Sequence, residues 1–145
     1  IMSLKDGLKK MSKSEASDLS RINLTDNKDQ IINKIKKAKT DTLPLPSTIE
    51  ELEKRPEAKN LIGIYSSLTN NTLQRSIDEF SGKNFSDFKE KLSEIIVNEI
   101  NPISSKVKEL LNDKVFLEKI LKDGYEKANE IASKKIKKIH EIVGF

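Results

Sequence analysis

The chain has 145 residues, 34% of them charged, a formal net charge of +4 at pH 7, 5% aromatic residues, and neither Trp nor Cys. A chain of this size buries one modest core, expected here to consist of Ile, Leu, Val and Ala, and no apolar run approaches the length needed to span a bilayer. Disulfides, thiolate metal sites and cysteine nucleophiles are ruled out, which fits a reducing compartment; the mild positive charge permits contact with RNA without arguing for it.

Residues 1–4 read as the end of a short strand, and residues 5–20, with Gly7 and many Ser and Lys, as a mobile loop. Thr25 is the expected N-cap of a helix that carries Ile31, Ile32, Ile35 and Ala38 at helical spacing and ends near Thr40. Leu43-Pro44-Leu45-Pro46 is a linker, because two prolines remove donors and fix φ. Ser47-Thr48-Ile49-Glu50 has a capping-box pattern that opens a short helix stopping by Pro56. Ala58 to Leu68 continues as a helix with Leu61, Ile62, Tyr65 and Leu68 on one face, Tyr65 being read as core. Asn70-Asn71-Thr72 breaks it and caps the next helix, which uses Leu73, Ile77 and Phe80 and closes at Gly82.

A long helix starts at Ser86 or Asp87, with Phe88, Leu92, Ile95, Ile96, Ile100, Ile103, Val107, Leu110 and Leu111 as its apolar face. Pro102 is expected to kink it or split it in two. The last helix runs from about Lys114 to Val143, with an inner face of Phe116, Leu117, Ile120, Leu121, Ala128, Ile131, Ala132, Ile136, Ile139 and Val143; Gly124 marks either a tight helix contact or a break. No other segment reads as a strand, so the body is predicted to be all-α, with connections short enough for a helical bundle.

The chemistry concentrates in Lys10-Met11-Ser12-Lys13-Ser14. Each Lys is a compact cation on a long stem and can follow a moving phosphate. The hydroxyls and loop amides can donate to the same oxygens, and Met can pack against a flat base. Composition alone would make this a solvated loop, but the order and the flanks point further. Ile1 to Ser14 resembles the nucleotide-loop (KMSKS) signature of class I aminoacyl-tRNA synthetases, in the form found in bacterial tryptophan–tRNA ligases. Asn60-Leu61-Ile62-Gly63-Ile64-Tyr65 resembles the helix that family carries after an Asp-containing linker, and Gly124-Tyr125-Glu126-Lys127-Ala128-Asn129-Glu130-Ile131-Ala132 resembles its final helix. Their order and spacing fit along essentially the whole chain. The family's other nucleotide signature, His-x-Gly-His, is missing, so the chain is expected to be a C-terminal fragment beginning just before the nucleotide loop.

The resemblance implies residues 1–24 as the tail of a Rossmann-type catalytic domain and residues 25–145 as a helical anticodon-binding domain. It implies ATP with Mg²⁺ as substrate and counter-ion and no tightly bound cofactor. Tryptophan and tRNA(Trp) follow as partners, in a cytoplasmic full-length parent that forms a homodimer; the fragment itself is expected to be inactive. Lys10 and Lys13 become the catalytic candidates, and Ile1, Lys10, Met11, Ser12, Lys13 and Ser14 the ATP-binding set. Many relatives follow the signature with Asp and Pro, where this chain has Glu15-Ala16-Ser17-Asp18, losing a rigid turn. Asp41 is read as a helix-end anchor. Arg21, Arg55 and Arg75 are candidate tRNA contacts, while the Lys34/Lys36/Lys37/Lys39 and Lys134/Lys135/Lys137/Lys138 clusters read mostly as solvated helix faces. His140, the single histidine, reads as a surface or interface residue, and no metal site is expected. Two other readings stay open: a tyrosine–tRNA ligase fragment, and a basic helical module that binds RNA without chemistry.

Overall fold

The structure, a computed structural model, describes residues 1–144 and divides into two compact units, Ile1–Ser105 and a second beginning at Lys106. The hairpin and the first helices share the first unit, and the division falls inside a helix.

The first unit opens with an antiparallel hairpin, β1 (Met2–Ser3) and β2 (Asp6–Lys10), in which Met2 faces Lys10 and Ser3 faces Asp6. The expectation of a mobile loop from residue 5 is therefore corrected: residues 6–10 form a strand. Its sequence, Asp-Gly-Leu-Lys-Lys, buries only Gly7 and leaves Leu8 79% exposed, so it carries none of the apolar alternation by which a strand is read. Backbone pairing and a close packing contact hold it instead.

A single 3-10 turn, Asp18–Ser20, precedes α1 (Lys28–Lys36). The N-cap of α1 is Asn27 rather than Thr25: Asn27 Oδ1 accepts from Gln30 N at 2.9 Å, and Gln30 Oε1 accepts from Asn27 N at 2.8 Å. The helix stops at Lys36, short of Thr40. There the ammonium of Lys89 donates to the Lys36 carbonyl (3.3 Å), the Ala38 carbonyl (2.6 Å) and Thr40 Oγ1 (3.3 Å), placing a cation at the carbonyl end of the helix. Thr48 caps α2 (Ile49–Glu53), and Glu51 returns to Ser47 N at 2.9 Å. Pro56 opens α3 (Pro56–Thr69), where its missing donor costs nothing, and Asn70 ends it in the left-handed region at φ 54°. Thr72 caps α4 (Leu73–Phe80), and Gly82 turns the chain at φ 70°.

Helix α5 (Phe85–Asn112) runs through Pro102 without splitting; the proline withholds one donor, and the ladder on either side carries the helix. Asp113 caps α6 (Lys114–Val143) through Phe116 N at 3.0 Å. Helix α6 runs through Gly124, where an added Cβ would meet nothing within 4 Å, so this glycine marks neither a tight contact nor a break.

The core lies wholly in the first unit and is not purely aliphatic. Tyr65, Phe80 and Phe88 form an edge-to-face cluster with centroids 4.8 to 5.8 Å apart, surrounded by Ile31, Ile35, Leu52, Leu61, Ile62, Ile77 and Leu92. Four of the seven Phe and Tyr residues, these three and Phe85, are buried there, so few rings sufficed once they were gathered in one place. The expected inner face of α6 is corrected: none of its residues is buried, and Phe116, Ile120, Leu121, Ile131, Ile136 and Ile139 are all exposed. Along α5 the expected face is buried at Phe88, Leu92 and Ile96, but Ile103 and Leu111 are exposed. A periodic stripe identifies a face and carries no information about what covers it.

The Tyr65 hydroxyl donates to Glu79 Oε1 at 2.9 Å. Burial, then the Glu79 bond, pushes it up from 10.0 to about 12. The fold favours the neutral phenol, so this contribution is fully present below pH 10 and lost as pH rises through about 12. Urea denaturation should find Tyr65→Phe less stable by about 1 kcal/mol at neutral pH and should find that the variant lacks the Tyr65 share of the alkaline loss.

Candidate functional site

The loop that begins at Lys10 leaves a hairpin tied down at several places. Leu4, 2% exposed, enters the core; its N–H donates to the Ser20 carbonyl (2.9 Å) and its carbonyl accepts from Lys39 N (2.7 Å). One residue thus joins the hairpin to the chain after the loop and to the segment after α1. At Gly7 the hairpin touches α3 with no room for a side chain: an added Cβ would lie 2.5 Å from the Pro56 carbonyl carbon and 2.6 Å from Glu57 N. Beside this contact Lys39 (2.8 Å) chiefly holds the Glu57 carboxylate below the usual carboxylate range. Asn60, on α3, grips β1 with both ends of its amide. Its Oδ1 accepts from Met2 N (2.9 Å), and its Nδ2 donates to the carbonyls of Met2 (2.9 Å) and Ser3 (3.4 Å).

From this base Lys10 projects as the exposed last residue of β2, and Met11 packs partly against the core while its N–H reaches the carbonyl of Ile1 at 3.3 Å. Ile1 itself is 78% exposed. Ser12, Lys13 and Ser14 are exposed; the Ser12 and Ser14 hydroxyl oxygens lie 2.9 Å apart, and Ser14 N donates to Ser12 Oγ at 3.3 Å. Among the described residues neither Lys10 nor Lys13 is held in an ion pair, whereas Lys9 pairs with Asp6 at 3.4 Å. The arrangement therefore presents two uncompensated cations and two clustered hydroxyls to solvent, which suits an incoming polyanion.

The return from the loop is equally ordered. Arg21 Nη1 donates to the Glu15 carbonyl (2.8 Å), its Nη2 lies 3.1 Å from Asp18, and Ser20 Oγ donates to the Ser17 carbonyl (2.7 Å). The turn that a proline would have stiffened is held here by side chains. Lys34 is not a solvated lysine: it is 3% exposed, with its ammonium 2.6 Å from Asp26 and 2.7 Å from Asp18. This removes it from the basic cluster, leaving Lys36 and Lys37 exposed, while Lys39 is paired with Glu57.

Of the three arginines, two are engaged within the protein. Arg55 binds both carboxylate oxygens of Asp41, donates to the Pro44 carbonyl (2.7 Å) and lies over the Phe85 ring at 5.6 Å. Arg55 foremost holds Asp41 below the usual carboxylate range, and Leu43 N adds a bond at 3.0 Å, so Asp41 anchors the proline linker rather than a helix end. Arg75 is the exposed one, in the first turn of α4. Among the described residues no group of three His, Cys, Asp or Glu side chains is placed to hold a metal ion, and no helix is long and apolar enough to cross a membrane.

The sequence model described as "tRNA synthetases class I (W and Y)" matches residues 1–101. The chain belongs to this family. It is 50% identical over all 145 residues to the tryptophan–tRNA ligase of Agrobacterium fabrum, covering 41% of that protein, and 52% identical over 145 residues to that of Rickettsia felis, covering 43%. The crystal structure of tryptophanyl-tRNA synthetase from Campylobacter jejuni complexed with ADP and tryptophan matches the whole chain at a TM-score of 0.78 and 25% identity, over 43% of that protein. The enzyme from Mycoplasma pneumoniae matches at 0.67 and 28%, over 45%. The chain thus spans well under half the length of these synthetases. A helical body behind a short hairpin is the architecture it shares with them.

Sequence reading missed Gly7, Asp18, Asp26, Lys34 and Asn60 as parts of the site's support. Only Asn60 carried a signal, as the first residue of a block that resembles the synthetase family. Asn60→Ala removes both ends of the amide clamp. Amide exchange at Met2 should then speed up by at least about tenfold, and trypsin should cut after Lys10 sooner than in the parent; unchanged exchange would show that β1 is held without Asn60.

Proposed function

We propose that these residues serve within a tryptophan–tRNA ligase, with the Lys10–Ser14 loop gripping the triphosphate of ATP. In the first step an oxygen of the tryptophan carboxylate bonds to the α-phosphorus and the bond to the bridging α,β-oxygen breaks, releasing pyrophosphate. Charge grows on that leaving group, so cations placed there act chiefly in the transition state. Lys10 and Lys13 take this role, and Ser12 and Ser14 donate to phosphate oxygens. Met11 packs near the nucleotide, and the backbone at Ile1 borders the adenine. Mg²⁺ accompanies ATP, ligated mainly by phosphate and water. In the second step a hydroxyl at the tRNA 3′ end takes the acyl group, and AMP leaves.

The observation that carries this reading is the pair of exposed, uncompensated lysines on a loop anchored at both ends. The names of the relatives favour tryptophan over tyrosine. Residues 25–145 hold the anticodon of tRNA(Trp) in this reading, with Arg75 the available arginine, and residues 1–24 complete the catalytic domain. The full-length enzyme acts as a cytoplasmic homodimer, and the 145-residue piece alone is inactive.

Amino-acid-dependent exchange of pyrophosphate into ATP by the full-length protein tests the proposal. Tryptophan should support exchange and tyrosine should not. Lys13→Ala should lower kcat by about 10²-fold or more with the KM for tryptophan little changed. Exchange that depends on tyrosine, or that ignores the Lys13 substitution, would reject it.

A further inference from the structure

The best-buried charges in the first unit lie beside the loop, not in it. Lys34 (3% exposed) and Asp26 (4%) form a desolvated pair at 2.6 Å on the flank of α1. Asp26 is further engaged by Asn23, whose backbone N–H donates to it at 2.9 Å. A buried pair of this kind is rigid, because loosening either partner strands the other charge in an apolar setting. Asp18 differs: its side chain is 55% exposed, and it lies on the 3-10 turn through which the chain returns from Ser14. It reaches inward to the same ammonium at 2.7 Å while receiving Asn23 Nδ2 at 3.0 Å and Arg21 at 3.1 Å.

We propose that Asp18 is a positioning residue for the lysine–serine loop: it fastens the loop's returning strand to the fixed Lys34–Asp26 pair on α1, so that Lys13 is presented to the nucleotide from a loop with two immobile ends. The entering end is already fixed by the Gly7–Pro56 contact and the Asn60 clamp. With Asp18 in place, four residues separate Lys10, the last residue of β2, from Glu15, whose carbonyl Arg21 holds. A short span with both ends held loses less conformational freedom when it closes on a ligand. Asp18 touches no substrate and acts only through the loop. It also ties the helical body to the nucleotide loop through one side chain. This inference rests on the proposed ATP role of the loop.

The test uses the full-length protein in tryptophan-dependent pyrophosphate exchange, with Asp18→Ala, Asp18→Glu, Lys13→Ala and the Asp18→Ala/Lys13→Ala double variant. Because Asp18 is half exposed and the Lys34–Asp26 pair survives its loss, the variants should melt close to the parent. Asp18→Ala should lower kcat by about tenfold, leave the KM for tryptophan within about twofold, and speed amide exchange at residues 12–20, with Asp18→Glu recovering most of the rate. In the Lys13→Ala background, Asp18→Ala should cost nothing further, since a residue that acts through Lys13 has no effect without it. An unchanged kcat, or an equal loss in both backgrounds, overturns the inference. Absence of tryptophan-dependent exchange in the parent protein would instead overturn the function proposed for the loop.

Discussion

The contact between the Gly7 backbone and the first turn of α3 governs the rest of the site. It leaves no space for even a methyl group, and it brings the hairpin close enough for Asn60 to bond the backbone of Met2 from both ends of its amide. Leu4 then falls into the core, and its two backbone groups collect the chain after the loop and the chain after α1. Each of these bonds is worth little by itself. Their effect comes from acting on one short hairpin, whose strands would not be stable alone.

A loop proposed to bind a polyanion faces a conflict. Its lysines must be free of carboxylates, yet a free, flexible, cationic segment would be poorly placed for chemistry. The chain separates the two demands. Four acidic groups nearby are occupied with other cations: Asp6 with Lys9, Glu57 with Lys39, Asp18 and Asp26 with Lys34. Lys10 and Lys13 are left out of these pairs, and the order around them is supplied by other side chains. In the role proposed for the loop, preorganisation of this sort would place charge where it develops in the transition state without reorganisation at the moment of reaction.

The helices were largely legible in the sequence because their signals are local: the capping box at Ser47–Glu50, one residue ahead of the Thr48 cap that forms, Thr72 before α4, and Asn70 and Gly82 in left-handed turns, although Pro56, which reads only as the stop of α2, opens α3. The loop was legible through its order of residues, which a composition argument would have missed. What could not be read was set by contacts distant along the chain. Strand β2 has no apolar period, Lys34 looks like any solvated lysine, and Arg55 has no local partner to betray its engagement with Asp41 across the proline linker. The aromatic cluster was hidden for the same reason, since Tyr65, Phe80 and Phe88 come from three different helices.

Helix α6 has no buried residue over its thirty positions. Within the helix, order comes from its own hydrogen-bond ladder, from the Asp113 cap, and from neighbours such as Glu130 and Lys134 one turn apart. A segment held by such local bonds frays inward from its ends over a broad range of temperature, since helix–coil exchange lacks the sharp threshold of a packed core. Ellipticity would therefore decline gradually, while the near-ultraviolet signal of the gathered rings would vanish at a single step.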